Sequence, residues 1–320
     1  MGARLPVSME DVLAARARIE GVAVRTPLVR LALDDSPAEI YLKLEILQPI
    51  GSFKLRGAAN AMAAADQGEL RRGVWTASAG NMGQGLAWVA RRAGIPCAVV
   101  VPDTAPEAKR KPIERLGARL IPVPFDDWLE VFASRRFEGL DGLFVHPFSD
   151  DNVMAGNGTI GLEILEDVPD VDTVLVPYGG GGLACGIAAA VKATSPSTKV
   201  FACEVETAAP LAAALAAGHP VEVPHTSSFV DGIGAPRVFP EMFELASRLL
   251  DGSLVVSLPE VADAIRLLAE RSHVVAEGAG AVPVAVVRSG RAGTGSVACV
   301  VSGGNLDPAK LATILSGGVP

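Results

Sequence analysis

The chain has 320 residues, of which 49% are hydrophobic and 20% are charged. Disordered chains have much less apolar content, so this sequence folds around a core, as one large domain or two ordinary ones. Its 28 basic and 36 acidic residues give a formal net charge of −8. Such an acidic chain lacks the broad basic face that binds nucleic acid, so we expect no nucleic-acid partner.

No run approaches the roughly 18 consecutive apolar residues of a membrane-spanning helix, so we expect no membrane segment. The N-terminal sequence MGARLPVSMEDVLAAR carries charges where a signal peptide needs an apolar core, which predicts a soluble cytoplasmic protein. The cysteines form no C-x-x-C pair and have apolar neighbours, which predicts buried free thiols. They are Cys97, Cys185, Cys203 and Cys299.

Short β-rich segments alternate with longer helical segments along the chain. Ser8, followed by Asp11, predicts the capped start of a first helix. The predicted strands cover residues 41–45, 74–78, 97–102, 119–123, 143–147, 172–177, 199–204, 254–258 and 297–302. The intervening helical spacing, as at 84–93 and 183–194, is typical of strand–helix–strand crossovers. We therefore predict an α/β fold of two domains, each with an open, twisted, mostly parallel sheet.

The residues after predicted strands are the candidate site, because ligands bind beyond the carboxyl ends of strands in open parallel sheets. After strand 172–177, the glycines at 179–182 lead directly into an Ala-rich helix. Four glycines leave backbone N–H groups open to hold an anion at a helix N-terminus. A flexible turn is the simpler alternative for this loop.

The same loop also fits a different class of protein. Residues 179–184, GGGGLA, lie between a strand and a helix, and Glu204 ends the next strand. This arrangement outlines a dinucleotide-binding motif in which the acidic residue binds a ribose. A second match at 156–161, GNGTIG, has no suitable strand before it, so we interpret it as coincidental.

Lysine is scarce in this chain, with seven lysines among 28 basic residues, and one of them has an unusual setting. Lys54 lies between Phe53 and Leu55 in an apolar stretch. Burial lowers the pKa of an amine, and a neutral amine can form a Schiff base and carry a proton. A lysine at a helix start with its amine in solvent is the alternative.

Two other strand ends carry polar groups. Ser78, Gly80 and Asn81 offer a hydroxyl, backbone N–H groups and an amide, which could bind a carboxylate and a cofactor oxygen. Ser302 ends a strand that is predicted to be central, where its hydroxyl could meet a neutral heteroatom. The alternatives are a capped helix at the first position and a turn residue at the second.

Together these motifs resemble the fold-type II pyridoxal-phosphate enzymes, in the group of threonine/serine dehydratases and serine racemases. The matching segments occur in the family's order: GSFKLRG at 51–57, TASAGN at 76–81, HPF at 146–148, GT at 158–159, GGGG at 179–182 and SGGN at 302–305. The resemblance implies a large cofactor-binding domain, residues 1–72 and 148–320, and a small substrate-gating domain, residues 73–147. It also implies a cofactor cleft between them and a homodimer.

The resemblance also implies residue roles. Lys54 would hold pyridoxal 5'-phosphate as a Schiff base and, once freed, remove the Cα proton of the substrate. The cofactor ring would contact Phe53, Asn81, Glu277 and Ser302, beside the Asp231–Gly232 turn, and the phosphate would bind Gly179, Gly180, Gly181, Gly182 and the Leu183 amide. The substrate carboxylate would bind Ser78, Ala79, Gly80, Asn81 and Met82.

These roles imply elimination of the β-hydroxyl group of a 3-hydroxy amino acid, giving a 2-oxo acid and ammonia. A serine at the pyridine nitrogen leaves that nitrogen unprotonated, which favours elimination. Racemisation is a second possibility, but Ala79 stands where the racemases have a second serine. β-Replacement, as in cysteine synthases, is a third possibility. The sequence also leaves open a cofactor-binding protein without catalysis and a nicotinamide-dependent oxidoreductase that uses the Gly179 loop.

Two departures from the family pattern affect the expected ligands. Met82 replaces the usual histidine of the dehydratase loop, which suggests a substrate with a bulkier β-substituent. Glu204 matches one ligand of the family's divalent-cation site, but the second position is Pro210. We therefore expect no bound metal.

Overall fold

Ten strands form two separate sheets in the part of the chain that the computed structural model describes, residues 7–33 and 36–320. The strands are β1 Leu28–Leu31, β2 Ala38–Leu44, β3 Val74–Ala77, β4 Cys97–Pro102, β5 Arg119–Val123, β6 Leu143–Phe144, β7 Thr173–Pro177, β8 Lys199–Val205, β9 Gly252–Val256 and β10 Gly295–Val301. The larger sheet has the order β1-β2-β10-β7-β8-β9, and the smaller sheet has the order β5-β4-β3-β6. All neighbours are parallel except β1 and β2. The predicted α/β class with mostly parallel sheets is confirmed.

Helices connect most of these strands. They are α1 Met9–Ile19, α2 Lys54–Ala64, α3 Gln67–Arg71, α4 Asn81–Ala93, α5 Glu107–Arg115, α6 Phe125–Ser134, α7 Asp151–Asp167, α8 Gly182–Thr194, α9 Pro210–Ala217, α10 Pro240–Leu249, α11 Leu258–Leu267, α12 Gly278–Arg288 and α13 Pro308–Leu315. A 3-10 turn at Glu45–Leu47 follows β2, and a π turn at Leu268–Ser272 follows α11. Ser8 and Asp11 form the predicted capping box of α1.

The nine predicted strands all occur, but the sequence did not reveal β1. This strand has only four residues and pairs antiparallel with β2 at the edge of the larger sheet. So short a segment has too few residues for a pattern that distinguishes a strand from a turn. Strand β6 is shorter than predicted and contains only Leu143 and Phe144. All strands of the smaller sheet lie between residues 74 and 144.

Helix α7 packs between α2 and α8, and glycines make this close packing possible. A Cβ atom at Gly156 would lie 2.5 Å from the carbonyl oxygen of Arg56 in α2. A Cβ atom at Gly158 would lie 2.9 Å from the carbonyl oxygen of Gly186 in α8. The GNGTIG segment therefore serves helix packing, since it lies inside a helix rather than between a strand and a helix.

A cluster of charged side chains is buried where α2 and α7 meet the end of β2. The Arg56 guanidinium donates to both carboxylate oxygens of Glu45, at 2.8 Å each, and to both oxygens of Glu163, at 2.7 and 2.8 Å. The Lys43 amine donates to Glu163 and to the Thr26 carbonyl, at 2.6 Å each. These side chains lie almost entirely out of water, with two cations facing two carboxylates.

Within the described residues, no helix is long and apolar enough to cross a membrane. The four cysteines are free, and three of them are buried, while Cys97 is partly exposed. Burial raises the pKa of the Cys97 thiol, and that of Cys185, to about 12. These thiols therefore stay protonated near neutral pH.

Replacing Arg56 with methionine should destabilise the fold strongly, because it leaves two buried carboxylates without their main partner. The free energy of unfolding, measured by urea denaturation of the cofactor-free protein, should fall by roughly 3–5 kcal/mol. The control is Arg30→Met, which removes a pair between exposed side chains, Arg30 and Glu39. That change should cost less than about 1 kcal/mol. Equal losses for the two variants would contradict the anchoring role of Arg56.

Candidate active site

Lys54 is the first residue of α2, and the segment before it pairs with the segment after β10. The Phe53 N–H donates to the Ser302 carbonyl at 3.0 Å, and the Gly304 N–H donates to the Gly51 carbonyl at 2.9 Å. Gly51 has a φ of 70°, in the left-handed region that favours glycine. This pairing places Lys54 beside Ser302, which is 2% exposed.

The Lys54 amine has one carbonyl partner and few charges around it. It donates to the Pro147 carbonyl at 2.6 Å and lies 5.1 Å from the centre of the Phe53 ring. Loss of hydration lowers the pKa of Lys54 to about 8, while the Glu277 carboxylate opposes this shift. A substantial fraction of the amine is therefore neutral near physiological pH, as attack on an aldehyde requires.

Asn81 and Glu277 meet although Asn81 follows a strand of the smaller sheet and Glu277 lies in the part of the chain that forms the larger sheet. Asn81 begins α4, after β3 of the smaller sheet, and its Nδ2 donates to Glu277 Oε1 at 2.8 Å. Glu277 precedes α12, and its N–H donates to the Gly303 carbonyl at 2.9 Å. Burial raises the pKa of Glu277 to about 7, and nearby Asp231 acts in the same direction, against the hydrogen bond from Asn81.

The four glycines after β7 form a tight loop at the N-terminus of α8. Gly181 has a φ of 91°, and a Cβ atom at Gly180 would overlap the ring of Phe148. At Gly182 a Cβ atom would lie 2.5 Å from the Phe148 carbonyl oxygen. The loop therefore has no room for side chains at Gly180 and Gly182. The first amides of α8, including that of Leu183, have no acceptor within the helix.

The Asp231–Gly232 turn lies between the glycine loop and Glu277. A Cβ atom at Gly179 would lie 3.5 Å from the Gly232 carbonyl oxygen. A Cβ atom at Gly232 would also lie 3.5 Å from Glu277 Oε1. The Asp231 carboxylate is 3.0 Å from the Lys109 amine of α5, the helix that connects β4 and β5 of the smaller sheet. The turn therefore contacts residues that belong to both parts of the chain, the glycine loop after β7 and helix α5 after β4.

The loop after β3 exposes part of its polar surface, but Met82 points elsewhere. The Gly80 N–H donates to the Ser78 hydroxyl at 3.2 Å, and Ala79 beside them is partly exposed. The Met82 side chain is 1% exposed and lies in a core cluster that contains Leu55. The Met82 side chain therefore gives no support to the expectation of a bulkier substrate, because it lies in the core.

Glu204 acts as a helix cap in this fold. Its carboxylate accepts the N–H groups of Leu211 and Ala212 in α9, at 2.9 and 2.8 Å, and the Ser253 hydroxyl at 2.6 Å. Burial raises the pKa of this carboxyl group. Its oxygens are thus engaged by the protein, which removes the support for a ribose-binding role.

The structure adds residues that had no role in the sequence analysis. Asn305 donates from Nδ2 to Asn81 Oδ1 at 2.7 Å, and the Pro147 carbonyl accepts from Lys54. Both belong to the segments HPF and SGGN, which matched the family as motifs. Their contacts could not be predicted because they join residues more than 90 positions apart in the chain.

The residues that converge here fit pyridoxal phosphate by the chemistry of their donor groups. The glycine loop presents backbone amides at a helix N-terminus, which suits a phosphate dianion. Lys54 offers an amine with a lowered pKa, which suits an aldehyde. The Ser52 hydroxyl, two residues before Lys54, is buried without a protein partner among the described residues, so a polar ligand group could satisfy it.

Comparisons with known proteins agree with this chemistry. Residues 19–303 match the family model described as pyridoxal-phosphate dependent enzyme, so the chain belongs to that family. An L-threonine ammonia-lyase from Thermotoga maritima is 42% identical over 98% of this chain and 79% of its own length. These matches confirm the predicted cofactor and the threonine/serine dehydratase group.

Solved structures of similar shape include members of both predicted subgroups. Maize serine racemase superposes with a TM-score of 0.90 and 30% identity, and the match covers 98% of each chain. The processed form of threonine deaminase isoform 2 from Solanum lycopersicum has a TM-score of 0.87 and 32% identity, over 97% of this chain and 87% of the other. Both agree with the fold-type II architecture.

The lowered pKa of Lys54 predicts unusual reactivity in the cofactor-free protein. The labelling rate of Lys54 by an amine-reactive anhydride, followed by peptide mass spectrometry, should fall by half as the pH drops to about 8, because the protonated amine does not react. Exposed lysines titrate near 10.4. In Glu277→Gln the midpoint should move lower, since an attractive carboxylate is lost. A Lys54 midpoint above about 10 would contradict the environment described above.

Replacing Gly180 with alanine should lower the stability of the protein even when no cofactor is bound. The new Cβ would overlap the Phe148 ring, so the unfolding free energy of the cofactor-free protein should fall by about 1–3 kcal/mol. Gly179→Ala is the matched control, because the nearest atoms there lie at 3.4 Å, an ordinary contact distance. If both variants were equally stable, the close packing of Phe148 on the loop would be refuted.

Proposed function

We propose that this enzyme eliminates the β-hydroxyl group of a threonine- or serine-type 3-hydroxy amino acid and releases a 2-oxo acid and ammonia. The observation that carries the proposal is the convergence of an amine with a lowered pKa, Lys54, with Asn81, Glu277 and Ser302 next to a glycine loop. The similarity to an L-threonine ammonia-lyase over almost the whole chain supports the same reaction class.

In this proposal the protein supplies binding and proton transfer. The amides of the loop 179–183 would hold the phosphate, Asn81 would bind the ring hydroxyl, Phe53 would pack on the ring, and Ser302 would meet the ring nitrogen. When bound, pyridoxal phosphate withdraws electrons from the substrate and makes its Cα proton acidic. The Lys54 amine accepts that proton, because it is largely unprotonated above a pH of about 8.

The residues after β3 orient the substrate. The N-terminus of α4 presents backbone amides, and the hydroxyl of Ser78 lies beside them, so the substrate carboxylate is proposed to bind at 78–81. Met82 contributes through its backbone alone, because its side chain is in the core.

Racemisation is the second candidate, and the structural similarity to maize serine racemase is the observation in its favour. A racemase must return a proton to the opposite face of Cα, which needs a second acid–base group. The position that corresponds to the second serine is Ala79, whose methyl side chain cannot exchange a proton. Elimination is therefore the better supported reaction.

The deciding experiment incubates the cofactor-loaded protein with L- and D-threonine, L- and D-serine and their β-substituted analogues, and measures ammonia and 2-oxo acid. We expect release from at least one 3-hydroxy amino acid and no release by Lys54→Ala. Lys111→Ala is the control, because Lys111 is exposed and pairs with Glu107 on the surface. Inversion without ammonia would favour the racemase, and turnover by Lys54→Ala would overturn the assignment of the base.

The proposal includes the assembly and the organisation of the chain. We propose a cytoplasmic homodimer, with a large domain of residues 1–72 and 148–320 and a small domain of residues 73–147. The smaller sheet lies within 74–144, which supports these boundaries. The proposal includes no metal, because Pro210 occupies the second position of the expected cation site and Glu204 is used as a helix cap.

A further inference from the structure

We infer that Asn305 is a positioning residue that fixes the side-chain amide of Asn81 in the orientation needed to donate a hydrogen bond to the cofactor ring. The inference rests on the proposed contact between Asn81 and that ring. It assigns to Asn305, which is itself solvent-exposed, a function in cofactor binding that acts only through Asn81.

The orientation of the Asn305 side-chain amide follows from a partner that can only accept a hydrogen bond. Its Nδ2 donates to the backbone carbonyl of Ile50 at 2.9 Å. A carbonyl oxygen can only accept, so the amide nitrogen of Asn305 has to face it. The side-chain oxygen, Oδ1, lies 2.9 Å from the place where Gly51 would carry a Cβ atom, so any larger residue at that position would displace it.

The second proton of the same Nδ2 then determines the orientation of Asn81. Asn305 Nδ2 lies 2.7 Å from the side-chain amide of Asn81. Because this nitrogen can only donate, the atom of Asn81 that faces it has to be the oxygen. The Nδ2 group of Asn81 is then left on the side of Glu277, 2.8 Å from its Oε1. The hydrogen bonds that link Asn305, Asn81 and Glu277 therefore have only one possible arrangement of donors and acceptors, which is set by the Ile50 carbonyl.

Glu277 cannot set this direction by itself. Its pKa is raised to about 7, so near neutral pH part of the population carries a proton on the carboxyl group. A protonated carboxyl group can donate to the oxygen of Asn81 as readily as the carboxylate can accept from its nitrogen. Asn305 removes this ambiguity, because its own donor group has no alternative protonation state.

The orientation matters for the cofactor as well as for Glu277. An amide nitrogen has two protons, and Glu277 uses one of them, so the second remains available for the ring hydroxyl. A flipped amide would present to the ring hydroxyl an oxygen, which can accept a hydrogen bond but cannot donate one, and would leave the Asn81 nitrogen facing the Asn305 nitrogen. Loss of one oriented neutral hydrogen bond corresponds to roughly a fivefold weaker binding of the cofactor.

A double-mutant cycle tests the inference. Dissociation constants for pyridoxal phosphate and the pH dependence of its visible absorption band are measured for the wild type, Asn305→Ala, Asn81→Ala and the double variant. In the otherwise wild-type protein, we expect Asn305→Ala to weaken binding about fivefold and to shift the pH profile of the band. In the Asn81→Ala background, we expect the same change to alter the dissociation constant by less than about twofold and to leave the pH profile of the band unchanged.

Two additional variants separate positioning from general structure. Asn305→Asp keeps the shape but cannot donate, so it should reproduce the spectral change of Asn305→Ala. Asp307→Ala removes the cap of α13 two residues away without touching Asn81, and should leave the absorption band unchanged.

The outcomes are distinct. Equal effects of Asn305→Ala in the two backgrounds would mean that Asn305 acts independently of Asn81, for example through its hydrogen bond to the Ile50 carbonyl. That result would overturn the inference. An Asn81→Ala variant with unaltered affinity and spectrum would refute the ring contact of Asn81, and the inference with it. Because both readouts are taken without substrate, they are independent of the elimination assay, and failure of that assay would not change them.

Discussion

The position of Lys54 depends on the buried ion pairs of Arg56, two residues later in the same helix. Residues two apart in a helix point in nearly opposite directions, so the amine faces the site while the guanidinium faces the interior. Arg56 binds Glu45 and Glu163 through both oxygens of each carboxylate. Since displacement of α2 would leave buried charges unpaired, these contacts restrict where the helix, and with it the reactive amine, can lie.

The same constraint reaches the glycine loop at 179–182 through α7. Glycines in α7 allow its backbone to contact both α2 and α8, so one helix fixes the spacing between the amine and the glycine loop. Asn157 adds a polar contact, because its Nδ2 donates to the Gly182 carbonyl at 3.2 Å. The helix that carries Lys54 and the helix that follows the glycine loop therefore both pack closely on α7.

The sequence predicted the parts of this site that depend on local pattern. Polar and glycine-rich segments at strand ends were recognisable, because parallel sheets collect ligands there. Side-chain directions were not predictable: Met82 follows the loop after β3, yet its side chain points into the core because α4 turns that face toward α2. The capping role of Glu204 and the contact of Asn305 with Asn81 arise only from tertiary packing, which no single segment encodes.

The two shifted ionisations of the site have a common physical origin. Burial disfavours charge, so it lowers the pKa of Lys54 and raises that of Glu277, and each group moves toward its neutral form. At Lys54 the Glu277 carboxylate opposes the effect of burial, because it stabilises the charged amine. A substitution at Glu277 then changes the pKa of the Lys54 amine even though it leaves Lys54 itself intact.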